Sequence, residues 1–136
     1  MATNVLYPKA KERMISGSAI NLAGNTVFCT LVSSSYTYNA AHVLYASSVG
    51  GYQVGTTGTL GSKTFTNGTF DAADITFSSV AAGSTLQHVV VFQSGAGTGS
   101  DLLIAHFVSS SGAAIDVSTN DGDITINWNS SGIFSL

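Results

Sequence analysis

LQHVVVFQ (residues 86–93) and LLIAHFV (102–108) decide the fold of this chain. Both are nearly continuous apolar runs of strand length, rich in Val, Ile and Phe. A strand with one face in water alternates apolar and polar residues, whereas a run apolar on both faces is read as fully buried. The two runs are therefore expected to be the central strands of a sheet covered on both faces. SGAGTGS (94–100) joins them as a flexible connection.

Outward from this pair the chain continues to read as β. A strand is expected at about 26–32, after a turn at Gly24-Asn25. YQVGTTGTL (52–60) and KTFTNGTF (63–70) are Thr-rich, and Asn67-Gly68 is a two-residue hairpin signal. DITFSSV (74–80), AIDV (114–117) and DITINWN (123–129) follow as strands, with an Asp121-Gly122 turn before the last of them. In that strand Ile124, Ile126 and Trp128 share one face while Thr125 and Asn127 share the other. GIFSL (132–136) closes the chain as a short strand expected to bury Ile133, Phe134 or Leu136.

Helix signals are few. Pro8 suits a first helical position, Lys9 to Met14 are helix formers, and Gly17 stops the run, so 8–16 is read as a short helix. Asn39 is read as the cap of a second helix over 40–47. The sum is about eight to ten short strands with turns at roughly ten-residue spacing, the pattern of an antiparallel sandwich or barrel. The fold class is all-β: an antiparallel β-sandwich with a short N-terminal helix or arm. A jelly roll fits the strand count, and the strand order stays open. Residues 1–22 are read as the arm and 23–136 as a single β domain.

Composition narrows function by exclusion. A chain of 136 residues has the length of one domain and can remove roughly 65–70% of its unfolded surface from water. Only 8% of residues are charged, against about 25% in ordinary soluble domains. So little charge leaves a surface prone to associate, which points to an assembly. The net charge of −3 offers no basic stripe for nucleic acid. The one cysteine, Cys29, excludes an internal disulfide and sits in an apolar run as a small buried hydrophobe. No signal-peptide stretch and no apolar run of about 18 residues is present, so synthesis and folding in a cytoplasm are expected.

Chemistry-bearing patterns are weak. His88 and His106 lie in the two apolar strands and could hold a metal, but no Cys or Glu accompanies them in ligand spacing. His42 stands alone. No Gly-x-Ser-x-Gly elbow occurs. Glu12 is the only glutamate, and Asp71, Asp74, Asp101, Asp116, Asp121 and Asp123 flank turns or strand ends, where Asp makes local hydrogen bonds. The stretch from Asp116 has Asp121 and Asn127 where a calcium loop needs Gly and Glu. GAGTGS lacks the third Gly of a dinucleotide fingerprint. Asn67-Gly-Thr and Asn129-Ser-Ser match glycosylation sequons without any sign of secretion. No enzyme activity and no cofactor is expected.

Several motifs in order, NVLYPKAKERMISGSAINL (4–22), YTYNAAH (36–42), GTFDAADITFSSV (68–80), DGDITINW (121–128) and IFSL (133–136), make the chain resemble a family of small structural proteins of tailed bacteriophages. By analogy of size and fold the resemblance implies a capsid cement or decoration protein on the virion surface. Such a protein binds the major capsid protein as a homo-oligomer, a dimer or trimer. The resemblance supplies no catalytic residues.

On that reading the N-terminal stretch, which holds three of the four basic residues, docks onto a partner. Lys9, Lys11 and Arg13 meet acidic groups there, and Val5, Leu6, Tyr7, Met14 and Ile15 bury apolar surface. A helix packed on its own sandwich, with its charges in water, explains the same residues equally well. Contact with packaged DNA is a third reading, though three charges supply little affinity at physiological salt. A tail or head–tail connector component, or a glycan-binding or receptor-binding β module presenting Tyr36, Tyr38, Tyr45 and Tyr52, stand as alternatives.

Overall fold

β-Branched and other apolar residues pack well on a pleated surface, and the chain concentrates its apolar residues in three strands that lie side by side. In the computed structural model, which describes residues 4–17, 20–95, 101–110 and 113–136, these are β2 (Val27–Ser33), β7 (Thr85–Gln93) and β8 (Leu102–Phe107). The remaining elements in chain order are β1 (Val5–Leu6), α1 (Pro8–Ser16), α2 (Tyr45–Ser48), a 3₁₀ turn (Gly50–Tyr52), β3 (Gln53–Thr59), β4 (Thr64–Thr66), β5 (Thr69–Asp71), β6 (Ile75–Phe77), β9 (Ser109–Ser110), β10 (Ala113–Ala114), β11 (Val117–Ser118), β12 (Ile124–Ile126) and β13 (Phe134–Ser135).

Among the described residues the main sheet runs β1-β8-β7-β2-β3, with β11 beside β7, and its ladders are antiparallel. The two apolar runs are its centre. From Val89 to Gln93 every residue of β7 is buried, as is every residue of β8 up to His106. Shorter ladders, β6 with β12 and β4-β5-β13, form the second layer. Phe107 of the main sheet meets Trp128 at 5.7 Å. A Cβ on Gly58 of β3 would collide with Ile75 of β6, so the layers touch closely there. The protein is an antiparallel β-sandwich with a short N-terminal helix.

The opposite face of the main sheet has no strands over it among the described residues. Cross-strand pairing puts Phe28, Val90, His88 and His106 on this face. Residues 34–52 run across it, and Tyr45 stacks on Phe92 at 3.9 Å. Here the helix expected over 40–47 gives way. Only Tyr45–Ser48 is helical, and Asn39 instead accepts the Ala41 N–H in a local turn. The reason is β8, whose first residues extend past the two-residue β1. Leu44 bridges Leu102, Leu103 donates to Val43, and Tyr45 donates to Asp101. Satisfying those backbone groups outweighs weak helix propensity.

The N-terminal segment is part of this sheet rather than an arm beside it. β1 pairs with β8 through Val5↔His106 and Leu6↔Ala105, Tyr7 donates its N–H to Ile104, and α1 packs beside β8 with Ala10 buried. The boundary expected at residue 22 therefore does not divide the packing. α1 itself matches its reading, with Pro8 first and Gly17 as a left-handed cap donating to Arg13.

Turn chemistry holds where it was read. Asn67 (φ 52°) and Gly68 (φ 78°) form the hairpin between β4 and β5. Asp121 and Gly122 turn as expected, but β12 then pairs with β6 across the chain, and the turn itself bonds Val80. Of the closing residues Ile133 is buried, Phe134 half-buried and Leu136 exposed. Residues 96–100 of the expected flexible connection lie outside the described ones. Replacing Gly68 with Val puts a β-branched residue at φ 78°. This should lower stability by about 1–3 kcal/mol, read as a lower denaturant midpoint at unchanged slope.

Candidate functional site

The register that pairs Val32 with His88 and Val90 with His106 brings the histidines of β7 and β8 onto one face as diagonal neighbours. Their rings lie 5.0 Å apart, and His88 Nδ1 and His106 Nε2 are 2.9 Å apart, a hydrogen bond between imidazoles. After β2 the chain turns back over them, with Ser34 donating to Thr85 and Tyr36 to Ser33. Tyr36 then stands edge-on to His88 at 5.3 Å, and Tyr38 stacks on His106 at 4.9 Å. Tyr7 enters from the end of β1, completely buried, and its ring lies 5.4 Å from Tyr38. Its hydroxyl bonds that of Tyr36 at 2.8 Å, and Tyr36 bonds His42 Nδ1 at 2.9 Å. His42 is held in place by its own N–H donating to Asn39. All three histidines of the chain thus meet three tyrosines on one face of the sheet.

This environment holds the imidazoles neutral. Burial pushes His106 down to about 4, and the adjacent His88 adds to the effect. Burial also lowers His88 and His42, with the Tyr36 backbone acting against the shift at His88. A backbone group that favours a charged imidazole is a carbonyl accepting its N–H. Assigning the His88 proton to the ring nitrogen toward Tyr36 leaves Nδ1 to accept from His106. His106 donates from Nε2, and its own Nδ1 is left buried with no hydrogen-bond partner among the described residues. Burial raises the Tyr7, Tyr36 and Tyr38 hydroxyls, so all three stay protonated.

The arrangement is a polar plug under aromatic rings. No hydrogen bond among the described residues joins a serine, cysteine or carboxylate to any of the three imidazoles. No three His, Cys, Asp or Glu side chains among the described residues come together to hold a metal ion. Five aspartates accept a backbone N–H, but only Asp71 from Ala72 and Asp101 from Gly95 do so locally, whereas Asp74, Asp121 and Asp123 accept from Trp128, Ala82 and Ser79 far along the chain. Cys29 is fully buried, and burial pushes its thiol up to about 12. Of the tyrosines offered as glycan platforms, only Tyr52 is exposed.

The residues read as partner contacts divide. Tyr7 faces inward, so in this conformation it touches only its own chain. Lys9 pairs with Glu12 at 3.1 Å, an exposed pair worth little. Arg13 is half-buried, and its Nε lacks a partner among the described residues. Leu6, Lys11 and Met14 come together with Val5, Ile15 and Leu136 around an open groove of ≈ 620 Å³. Ile15 is 88% exposed and Leu136 74%. Lys63 lies apart and donates to the Leu22 and Asn25 carbonyls.

No family model matches this chain, and no curated protein or solved structure is significantly similar to it.

Neutral histidines link stability to pH. All three are held below their unfolded value of about 6.5, so the contribution is complete above that pH and is lost as pH falls toward about 4. Chemical denaturation across that range should lose on the order of 2 kcal/mol, after allowance for solvent screening. A flat profile would contradict a neutral buried pair.

Proposed function

We propose that this protein is a non-enzymatic structural protein of a phage particle, a capsid cement or decoration protein that binds between major capsid subunits as a dimer or trimer. The observation that carries the reading is the apolar ledge beside β1, where Ile15 and Leu136 stand almost fully in water next to Leu6 and Met14. Scattered exposed apolar residues need no explanation, but a cluster around a groove marks an interaction site. Lys11 at its rim offers one cation to an acidic partner, and the apolar floor supplies the rest. The sparse charge of the chain, and the resemblance of its motif order to phage structural proteins, support the same reading. The single exposed tyrosine among the four offered as platforms favours the glycan-binding alternative least.

Co-sedimentation with heads that lack the protein, with separated tails as comparison, tests the proposal. Saturable binding at a stoichiometry tied to the capsid subunits is expected. Ile15→Asp with Leu136→Asp changes two exposed side chains, so folding should be unaffected while head binding weakens by at least about tenfold. Binding to tails alone, or undiminished binding of the double variant, would count against the proposal.

A further inference from the structure

The tyrosine–histidine cluster does more than fill space, because of which segments it joins. β7 is held by long ladders on both sides, and β8 by its ladder to β7. The cover over their histidines comes from elsewhere: Tyr36, Tyr38 and His42 from the segment after β2, and Tyr7 from the N-terminus. β1 is held by two residue pairs and by Asn4, which bonds Val108 and Ser109, and the fully buried Tyr7 adds a further attachment of residues 5–16 to the sheet. Its ring touches Tyr38 and His106, and its hydroxyl bonds Tyr36.

We propose that this cluster is an acid-opened latch that releases the N-terminal segment, residues 5–16, from the edge of β8.

The hydrogen-bond accounting gives the mechanism. In the neutral state one N–H···N bond joins the imidazoles, and His106 Nδ1 has a lone pair and no donor. A first proton enters at that atom and creates a buried cation whose new N–H has no acceptor. A second, on His88 Nδ1, sets two N–H groups against each other and breaks the bond. The groups facing His106 are Tyr7 from the N-terminal segment, Tyr36 and Tyr38 from the segment after β2, and His88 from β7. Burial and then the neighbouring His88 disfavour a charge on His106, and no carboxylate among the described residues is hydrogen-bonded to it. Water at Nδ1 relieves this, and in the proposed latch the ring that leaves to admit it is Tyr7, one of three tyrosines packed around His106. What acid uncovers is the backbone edge of Ala105 and His106, to which a strand of a neighbouring subunit can add.

Amide hydrogen exchange on the full chain between pH of about 7.5 and 3.5, corrected for intrinsic rates, tests the latch. Residues 5–16 should lose protection by at least about tenfold relative to β2 and β7. The imidazole signals of His88 and His106, followed by NMR in the unaltered protein, should titrate with the same midpoint. His106→Gln should abolish the acid response. Should that variant not fold, the wild-type titration still decides. Loss of protection across the whole sheet together, opening of 36–42 while 5–16 stays protected, or release that follows His42 alone would each overturn the proposal. None of these readouts depends on binding to heads.

Discussion

A sheet whose middle strands are apolar on both faces must be covered twice, and this chain has only short elements with which to do it. One face receives β6, β12 and the β4-β5-β13 ladder. The other receives an irregular segment and the end of β1. Irregular backbone makes a poor lid, because its own polar groups need partners. Tyrosine suits the task, since its ring covers apolar area while its hydroxyl bonds a neighbour. Tyr7, Tyr36 and Tyr45 are all buried in this role. The histidines follow from the same constraint. An imidazole on a covered face must be neutral and bonded, and here the partners are other imidazoles and tyrosine hydroxyls.

This places the N-terminal stretch in a new light. It is neither a free arm nor a plain packing helix. Its strand completes one edge of the main sheet, Tyr7 plugs the lower face, and α1 ends in the exposed apolar ledge. One segment therefore carries both a core residue and the candidate docking surface. Any event that loosens the plug also moves the ledge, since nine residues of helix connect them.

What sequence reasoning reached was local. The apolar runs in β7 and β8 are intrinsic to their own residues, as are Pro8 and Gly17 at the ends of α1 and the Asn67-Gly68 hairpin. The alternation of Ile124, Ile126 and Trp128 is equally self-contained. What it missed depends on register. His88 and His106 meet because Val90 pairs with His106, and no feature of either strand alone encodes that pairing. Leu44 and its neighbours read as helix because their partner on β8 lies nearly sixty residues away. Tyr7 read as a partner contact for the same reason: an apolar ring in a basic segment suits an outer face and an inner one equally, until the strand beside it is known.

Cys29 sits in the middle of β2, between β7 and β3, with its thiol fully buried and held protonated. Thiolate is the reactive form, so the intact sheet shields this sulfur by exclusion and by charge state together. The chain therefore contains its own reporter of sheet separation. A thiol reagent reads the parting of β2 from its neighbours and is blind to motion at the β1 edge. Without any engineered residue, a slow labelling rate measures how often the centre of the sandwich opens, separately from how often its rim does.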